Sequence, residues 1–229
     1  MKRIVNLLTM ARIFATFILP FIWKYCDALF ILIFVGIILL TDFFDGFLAR
    51  KFKVQSLFGS LLDVFADKVF GLVVVIIIAL NIKMYFLTLI MELLITFINI
   101  YGGTRGATTI SSFLGKTKMW FLGISTMIGL VIIFNNQLVN IINFDWFINI
   151  MNLIYTNRVV VSTFAVSITA GTEIIVATDY LRHINKQIKK KKEKLVYNFK
   201  DKKDLMYVLF DTDYYLNNKK EPLSKHLLK

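Results

Sequence analysis

The sequence predicts an all-α fold: a polytopic membrane bundle of about six transmembrane helices, both termini cytoplasmic. Three observations carry that expectation. The 229 residues are 57% hydrophobic with a mean hydropathy of +0.68, whereas soluble domains are roughly 45–50% apolar. The excess is gathered into runs of roughly 18–25 residues, long enough to cross a hydrocarbon core about 30 Å thick. The dense Lys and Arg segments recur at alternate connections, the pattern that keeps basic loops inside the cell.

The spans fall at about 7–25, 28–50, 57–82, 84–101, 116–134 and 158–181. Lys2 and Arg3 ahead of the apolar stretch Ile13–Trp23 resemble a signal peptide. No small-x-small cleavage site follows, since the chain continues Trp23-Lys24-Tyr25-Cys26-Asp27, so the stretch reads as a retained first span. The second span is apolar from Ala28 to Leu40 and then turns acidic, and the fourth, Met84–Tyr101, is short and carries Glu92. Asn135–Asn157, with Phe144, Asp145, Trp146, Phe147 and Tyr155, reads as a helix lying in the membrane interface, with a seventh span as the alternative. The sixth span carries Glu173 and Asp179, to which the sequence assigns no role.

Basic residues orient the bundle. Lys2 and Arg3, then Arg50, Lys51 and Lys53, then Arg105, Lys116 and Lys118, then the tail, all fall on one side if there are six spans. The opposite connections hold Lys24, Lys83 and Arg158. Two domains follow: a membrane domain over 1–181 and a basic cytoplasmic tail over 182–229. From Arg182 onward there are 14 Lys or Arg and 6 Asp or Glu, a net +8 of the chain's +12. A basic segment directly after an apolar span points to anionic lipid headgroups, not nucleic acid. With one cysteine, Cys26, and two histidines, His183 and His226, both in the polar tail, neither a disulfide nor a Cys- or His-based metal centre in the bundle is available.

Four carboxylates stand at the ends of spans 2 and 3: Asp42, Asp45, Asp63 and Asp67. Each costs roughly 2.5–3.5 kcal/mol to insert. Asp42 and Asp45 are i, i+3 and Asp63 and Asp67 are i, i+4, so each pair shares a helix face. From Ala28 to Asp42 is about 21 Å of helix, and from Ile82 back to Asp67 about 22 Å. Both pairs therefore reach one level near the cytoplasmic interface, and the short Arg50–Lys53 connection lets the two helices lie antiparallel and adjacent. A single such Asp would read as a helix cap or an ion-pair partner. Four converging carboxylates need cationic charge among them, and a hard divalent ion with oxygen ligands, Mg²⁺ or Mn²⁺, suits them. Two such ions stabilise attacking and leaving oxygens together in phosphoryl transfer.

From Asp42 to Asp67 the pattern is D-x-x-D-G-x-x-A-R-x8-G-x3-D-x3-D, carried by Asp42, Asp45, Gly46, Ala49, Arg50, Gly59, Asp63 and Asp67. It resembles the signature of the CDP-alcohol phosphatidyltransferases. The resemblance implies six spans, a homodimer, two bound divalent metals and a nucleotide site open to the cytoplasm, in the cell membrane. By position it makes Asp42, Asp45 and Asp63 metal ligands, and Asp67 the general base, also touching metal. Gly46, Ala49, Arg50 and Gly59 become the nucleotide-binding set. The run Val5-Asn6-Leu7-Leu8-Thr9-Met10-Ala11-Arg12 is similar to the family's P-N-x-x-T helix start, with Val5 in place of proline, and adds Asn6 and Thr9 to that set. The bland alternative is a polar start to the first span. The implied substrates are CDP-diacylglycerol and a small alcohol.

Gly115-Lys116-Thr117-Lys118 resembles an element of the phosphatidylglycerophosphate synthases, which makes Arg105, Lys116 and Lys118 candidates for a phosphate on the acceptor, glycerol 3-phosphate first. Plain inside-positive charge accounts for the same residues. That branch carries Arg-Glu midway along span 4, and here Met91 precedes Glu92. Inositol phosphate or serine therefore stays open as acceptor. The competing class is an ion transporter using the same acids, which would place them nearer the bilayer midplane and on broken helices.

Overall fold

The computed structural model describes residues 2–52, 56–105, 113–142, 144–190 and 209–212. Seven helices lie among them: α1 (Lys2–Tyr25), α2 (Ala28–Lys51), α3 (Leu57–Asn81), α4 (Tyr85–Thr104), α5 (Phe113–Ile141), α6 (Asp145–Thr156) and α7 (Arg158–Lys190). Four stretches are long and apolar enough to cross a membrane: Asn6–Tyr25, Lys83–Gly103, Leu114–Ile141 and Arg158–Ile188. A shorter apolar stretch, Ala28–Ile38, lies in α2. The exterior is apolar too, with Phe14, Phe17, Phe21, Phe97, Trp120 and Phe164 more than half exposed. Water would penalise such a surface and lipid does not. The molecule is an all-α bundle of the multi-pass membrane kind.

Two boundaries differ from the sequence expectation. α5 runs on to Ile141 and takes in the first part of the expected interfacial segment, leaving α6 as a helix of 12 residues. α6 is tied to α5 by Asn135 Nδ2, which donates to the Met151 carbonyl at 2.8 Å. α7 continues nine residues past 181. No Gly or Pro interrupts the polar stretch Arg182–Lys190, and Lys, Arg and Gln are good helix formers, so leaving an apolar environment need not end the helix. Within that extension Ile184 is fully buried against α4.

The helices pack around two apolar clusters. The larger joins Ala28 and Ile31 of α2, Ile78 and Ala79 of α3, Tyr85 of α4, Leu130, Phe134 and Leu138 of α5, Met151 of α6 and Val166 of α7. These positions lie at the far end of the bundle from Asp63 and Asp67. Polar contacts lock this end. The first N–H of α2, at Ala28, donates to Gln137 Oε1 of α5 at 2.6 Å, which satisfies a donor that a helix start leaves free. The buried Tyr85 hydroxyl donates to the Ser125 carbonyl. The smaller cluster, Ile95, Ile98, Val176, Ala177 and Ile184, joins α4 to α7.

Two glycines set the closest helix approaches, as small residues do in membrane bundles. A Cβ at Gly129 would stand 2.8 Å from Ile78 Cγ2 and 3.2 Å from the Tyr85 ring, and one at Gly102 would stand 2.7 Å from Ile184 Cδ1. At Gly123, on the same helix as Gly129, a Cβ meets nothing within 4 Å. Gly129→Val should therefore cost about 1–3 kcal/mol by overpacking, while Gly123→Val should be close to neutral. Thermal unfolding of the two variants in one detergent checks this, and equal melting temperatures would contradict the close approach at Gly129.

Candidate active site

α1 packs along both α2 and α3 and is their common neighbour. The expected side-by-side packing of α2 on α3 is thus mediated, among the described residues, by α1. α1 and α3 run parallel with their starts together. Asn6, Thr9 and Arg12 follow one another at three-residue spacing on α1, and Gly59, Asp63 and Asp67 at four-residue spacing on α3. Both spacings keep residues on one helix face.

The two stripes meet. Asn6 Oδ1 lies 3.1 Å from where a Gly59 Cβ would be, and the Ser56 Oγ lies 3.3 Å from the same point. Ser56 is the N-cap of α3, accepting from the Gly59 N–H at 3.2 Å. The cap starts the helix and leaves Gly59 as bare backbone facing Asn6. Two residues expected in one nucleotide site, 53 positions apart, are neighbours. Thr9, one turn further, is buried. Phe210 of the tail packs its ring on Phe58 at 4.9 Å between centroids, beside this point.

One turn deeper, Arg12 meets the carboxylates. Its Nη2 donates to Asp63 Oδ1 at 2.6 Å and its Nη1 to Asp67 Oδ1 at 2.9 Å. The Arg12 side chain is 2% exposed, against 42% and 49% for the two aspartates. The fork thus holds one oxygen on each of two successive turns of α3, and charge-assisted bonds of this kind are about twice as strong as neutral ones. The sequence reading did not assign Arg12 a role. The signal was available, because an arginine inside an apolar span has the same insertion cost as the aspartates and needs a partner as they do.

Asp42, Asp45, Gly46 and Arg50 lie on the α2 backbone, and their side chains fall outside the described residues. Ala49 is half-buried on the same helix. Among the described residues no group of three or more metal-ligating side chains converges. Asp63 and Asp67 nonetheless fit a hard divalent cation in donor type: carboxylate oxygens only, on adjacent turns, half open to the surroundings.

The other face of α3 carries a second charged group. Lys118 of α5 and Lys68 of α3 both pair with Glu92 of α4, the first in a short buried contact and the second at 3.4 Å. Lys118 is therefore enclosed, while Lys116 is exposed and Arg105, at the end of α4, is exposed over the Tyr101 ring at 5.2 Å. Of the three residues expected to bind the acceptor, two face outward and one is committed to Glu92. Glu173 of α7 stands in the electrostatic field of Glu92, Lys118 and Lys68, and Asp179 faces His183 at 3.2 Å one turn on.

A family model described as CDP-alcohol phosphatidyltransferase matches residues 2–156. Proteins named CDP-diacylglycerol–glycerol-3-phosphate 3-phosphatidyltransferase are similar over a shorter stretch. Those from Yersinia enterocolitica and Yersinia pestis (strain Pestoides F) are 38% and 40% identical over 73 residues. The one from Sodalis glossinidius is 40% identical over 75 residues. Each match covers 32% of this chain and 38% of the relative, so the chain spans little more than a third of the curated relatives it matches. No solved structure matches the chain.

The fork should matter to stability as well as to chemistry. Arg12→Gln is expected to destabilise the metal-free, detergent-solubilised protein by about 1–3 kcal/mol, as charged hydrogen bonds to half-exposed partners are lost. Arg12→Lys should recover only part of that, because an ammonium cannot reproduce the fork. Chemical denaturation in the presence of a chelator measures it, and an unchanged midpoint for Arg12→Gln would mean the two ion pairs do not hold α1 to α3.

Proposed function

This chain belongs to the CDP-alcohol phosphatidyltransferase family, and from that premise we propose that it transfers a phosphatidyl group from CDP-diacylglycerol to glycerol 3-phosphate, releasing CMP. The observation that carries the proposal is the meeting of the α1 and α3 stripes. It brings Asn6 to Gly59 and Arg12 to Asp63 and Asp67, so the residues the family motif gives to nucleotide and to carboxylate chemistry line one seam. The acceptor choice is supported by the names of the relatives and by the basic residues Arg105, Lys116 and Lys118.

Asp67 takes the proton of the acceptor hydroxyl. The hydroxyl oxygen then attacks the phosphorus that bears the lipid, the bond to the cytidylate oxygen breaks, and CMP leaves. A base must lie within hydrogen-bond reach of that hydroxyl. Arg12, bonded to one oxygen of Asp67, orients the carboxyl and leaves the group half exposed toward the reacting alcohol. Gly59, Gly46, Ala49, Arg50, Asn6 and Thr9 bind the nucleotide: the glycines admit it close to the backbone, and Arg50 offers a donor fork to phosphate oxygens. Asp42, Asp45, Asp63 and Asp67 would hold the two Mg²⁺ or Mn²⁺ ions. When bound, these supply Lewis-acid charge to the phosphate oxygens and offset carboxylate repulsion. Neither Cys26, in the turn at the far end of the bundle, nor His183, which faces Asp179 on α7, lies on the α1–α3 seam, which supports direct displacement.

In the cell membrane the bundle makes six spans, with α2 and α3 joining the four apolar stretches and α6 lying in the interface. Both termini, the active site and the basic 182–229 tail are cytoplasmic, and the protein works as a homodimer.

Asp67→Asn should lower CMP release from CDP-diacylglycerol and glycerol 3-phosphate by about 100-fold or more. The measurement is radiolabelled CMP release by purified protein with Mg²⁺ or Mn²⁺, with inositol phosphate and serine as rival acceptors, and full activity in the variant would remove Asp67 from the role of base. Cys26, in the α1–α2 turn and the chain's single cysteine, tests the topology. A membrane-impermeant maleimide should label it in intact cells, and labelling only after lysis would reverse the assigned orientation.

A further inference from the structure

Glu173 takes no part in the reaction as drawn. It lies on α7, outside the residues matched by the family model. It is fully buried beside Glu92, and neither Oε1 nor Oε2 receives a hydrogen bond from a described donor. Burying a carboxyl without hydrogen bonds carries a penalty of several kcal/mol on transfer scales, and an ionisable residue in a membrane span marks a functional site by default. Its surroundings are specific: Glu92, Lys118 and Lys68 act on it from α4, α5 and α3. Lys118 in turn feels Glu92, Lys68 and Glu173.

The position of this group relative to the base matters. Lys68 follows Asp67 directly in α3, so their Cα atoms are about 3.8 Å apart. Their side chains diverge by about 100°, Asp67 toward α1 and Lys68 toward α4. A small ligand reaching around this point of α3 could present a different group to each side.

We propose that Glu173 is a specificity-determining residue that accepts a hydrogen bond from a hydroxyl of the acceptor not consumed in the reaction, beside a phosphate held by Lys118 and Lys68. This rests on the proposed function. It deepens that reading by naming the acceptor class as a phosphorylated polyol with at least one spare hydroxyl. Glycerol 3-phosphate has three recognisable groups. The reacting hydroxyl goes to Asp67. The phosphate goes to Lys118 and Lys68, the two cations gathered around Glu92. The middle hydroxyl remains, and in the same cluster Glu173 has carboxyl oxygens that receive no hydrogen bond from a described donor. A carboxyl oxygen accepts from a hydroxyl and offers a second phosphate no cation, so the same residue selects against bisphosphorylated alcohols.

The test compares two acceptors. Propane-1,3-diol monophosphate keeps the reacting hydroxyl and the phosphate and lacks the middle hydroxyl. The ratio of kcat/KM for glycerol 3-phosphate to that for the diol phosphate is measured in the unaltered protein, in Glu173→Leu and in Glu173→Gln. Any loss of folded protein cancels in the ratio. The unaltered chain should prefer glycerol 3-phosphate by about 10- to 100-fold, the range set by a buried hydrogen bond left unmade. Glu173→Leu should bring the ratio near unity, mainly through the KM for glycerol 3-phosphate, with Glu173→Gln between the two. An unchanged ratio in Glu173→Leu overturns the assignment, as does a ratio near unity in the unaltered protein. Equal loss with both alcohols in both variants also overturns it, because a hydroxyl-binding residue acts on only one of them. Absence of CMP release by the unaltered chain with either alcohol is a different failure: it removes the proposed reaction, and this assignment with it.

Discussion

Ionised groups inside a lipid-facing bundle must be paired, and the Arg12 fork on Asp63 and Asp67 is where this molecule meets that constraint most directly. The guanidinium is almost wholly buried and the carboxylates are half open, so the cation is fixed by the bundle and the anions face outward from it. Each charge taken out of water carries a penalty of several kcal/mol unless its partner and geometry compensate. Two bonds from one rigid fork to successive turns of α3 set both the rotation and the axial register of α1 against α3. That register also brings Asn6 to Gly59. Moving α1 by one residue would turn Arg12 away by about 100° and separate both contacts together.

α3 divides the polar interior into two compartments. Its Asp63 and Asp67 side belongs to α1, and its Lys68 side to α4, α5 and α7. Adjacent residues of one helix thus carry opposite charge into opposite compartments, each containing a counter-ion from another helix. The far end of the bundle supplies the rigidity this needs. There Tyr85, Gly129 and Ile78 interlock and Gln137 holds the start of α2. Precise placement of polar groups depends on such a packed support.

Much of this was legible in the residues. Hydropathy marks α1, α4, α5 and α7 because length and composition are local properties, and the shared faces of Asp63 and Asp67 follow from helical spacing alone. Partners were not legible. Arg12 finds Asp63 from 51 residues away and Lys118 finds Glu92 from 26, and no local pattern encodes which cation a buried anion meets. Lys118 shows the cost of reading locally: it looks like one of several inside-positive residues, yet Lys116 is exposed and Lys118 is buried. α7 outruns its apolar run, whose end marks the end of a span and not the end of the helix. The polar continuation is helical and packs Ile184 over Gly102.

The enclosure of Lys118 by Glu92 bears on whether that lysine can serve a ligand at all. A lysine at this depth could not stand unpaired in the empty protein, since insertion alone costs roughly 2.5–3.5 kcal/mol. A resident anion is therefore required whatever the function, and its presence does not oppose phosphate binding. The same holds at Arg12, where a resident cation balances carboxylates assigned to metal. On the proposed reading each compartment already contains a counter-ion that its ligand joins, so binding rearranges contacts among charges that have partners beforehand. Glu173 is the exception, a buried carboxyl whose oxygens receive no hydrogen bond from a described donor. On the proposed reading a ligand adds a new bond there, which would locate discrimination between alcohols on α7.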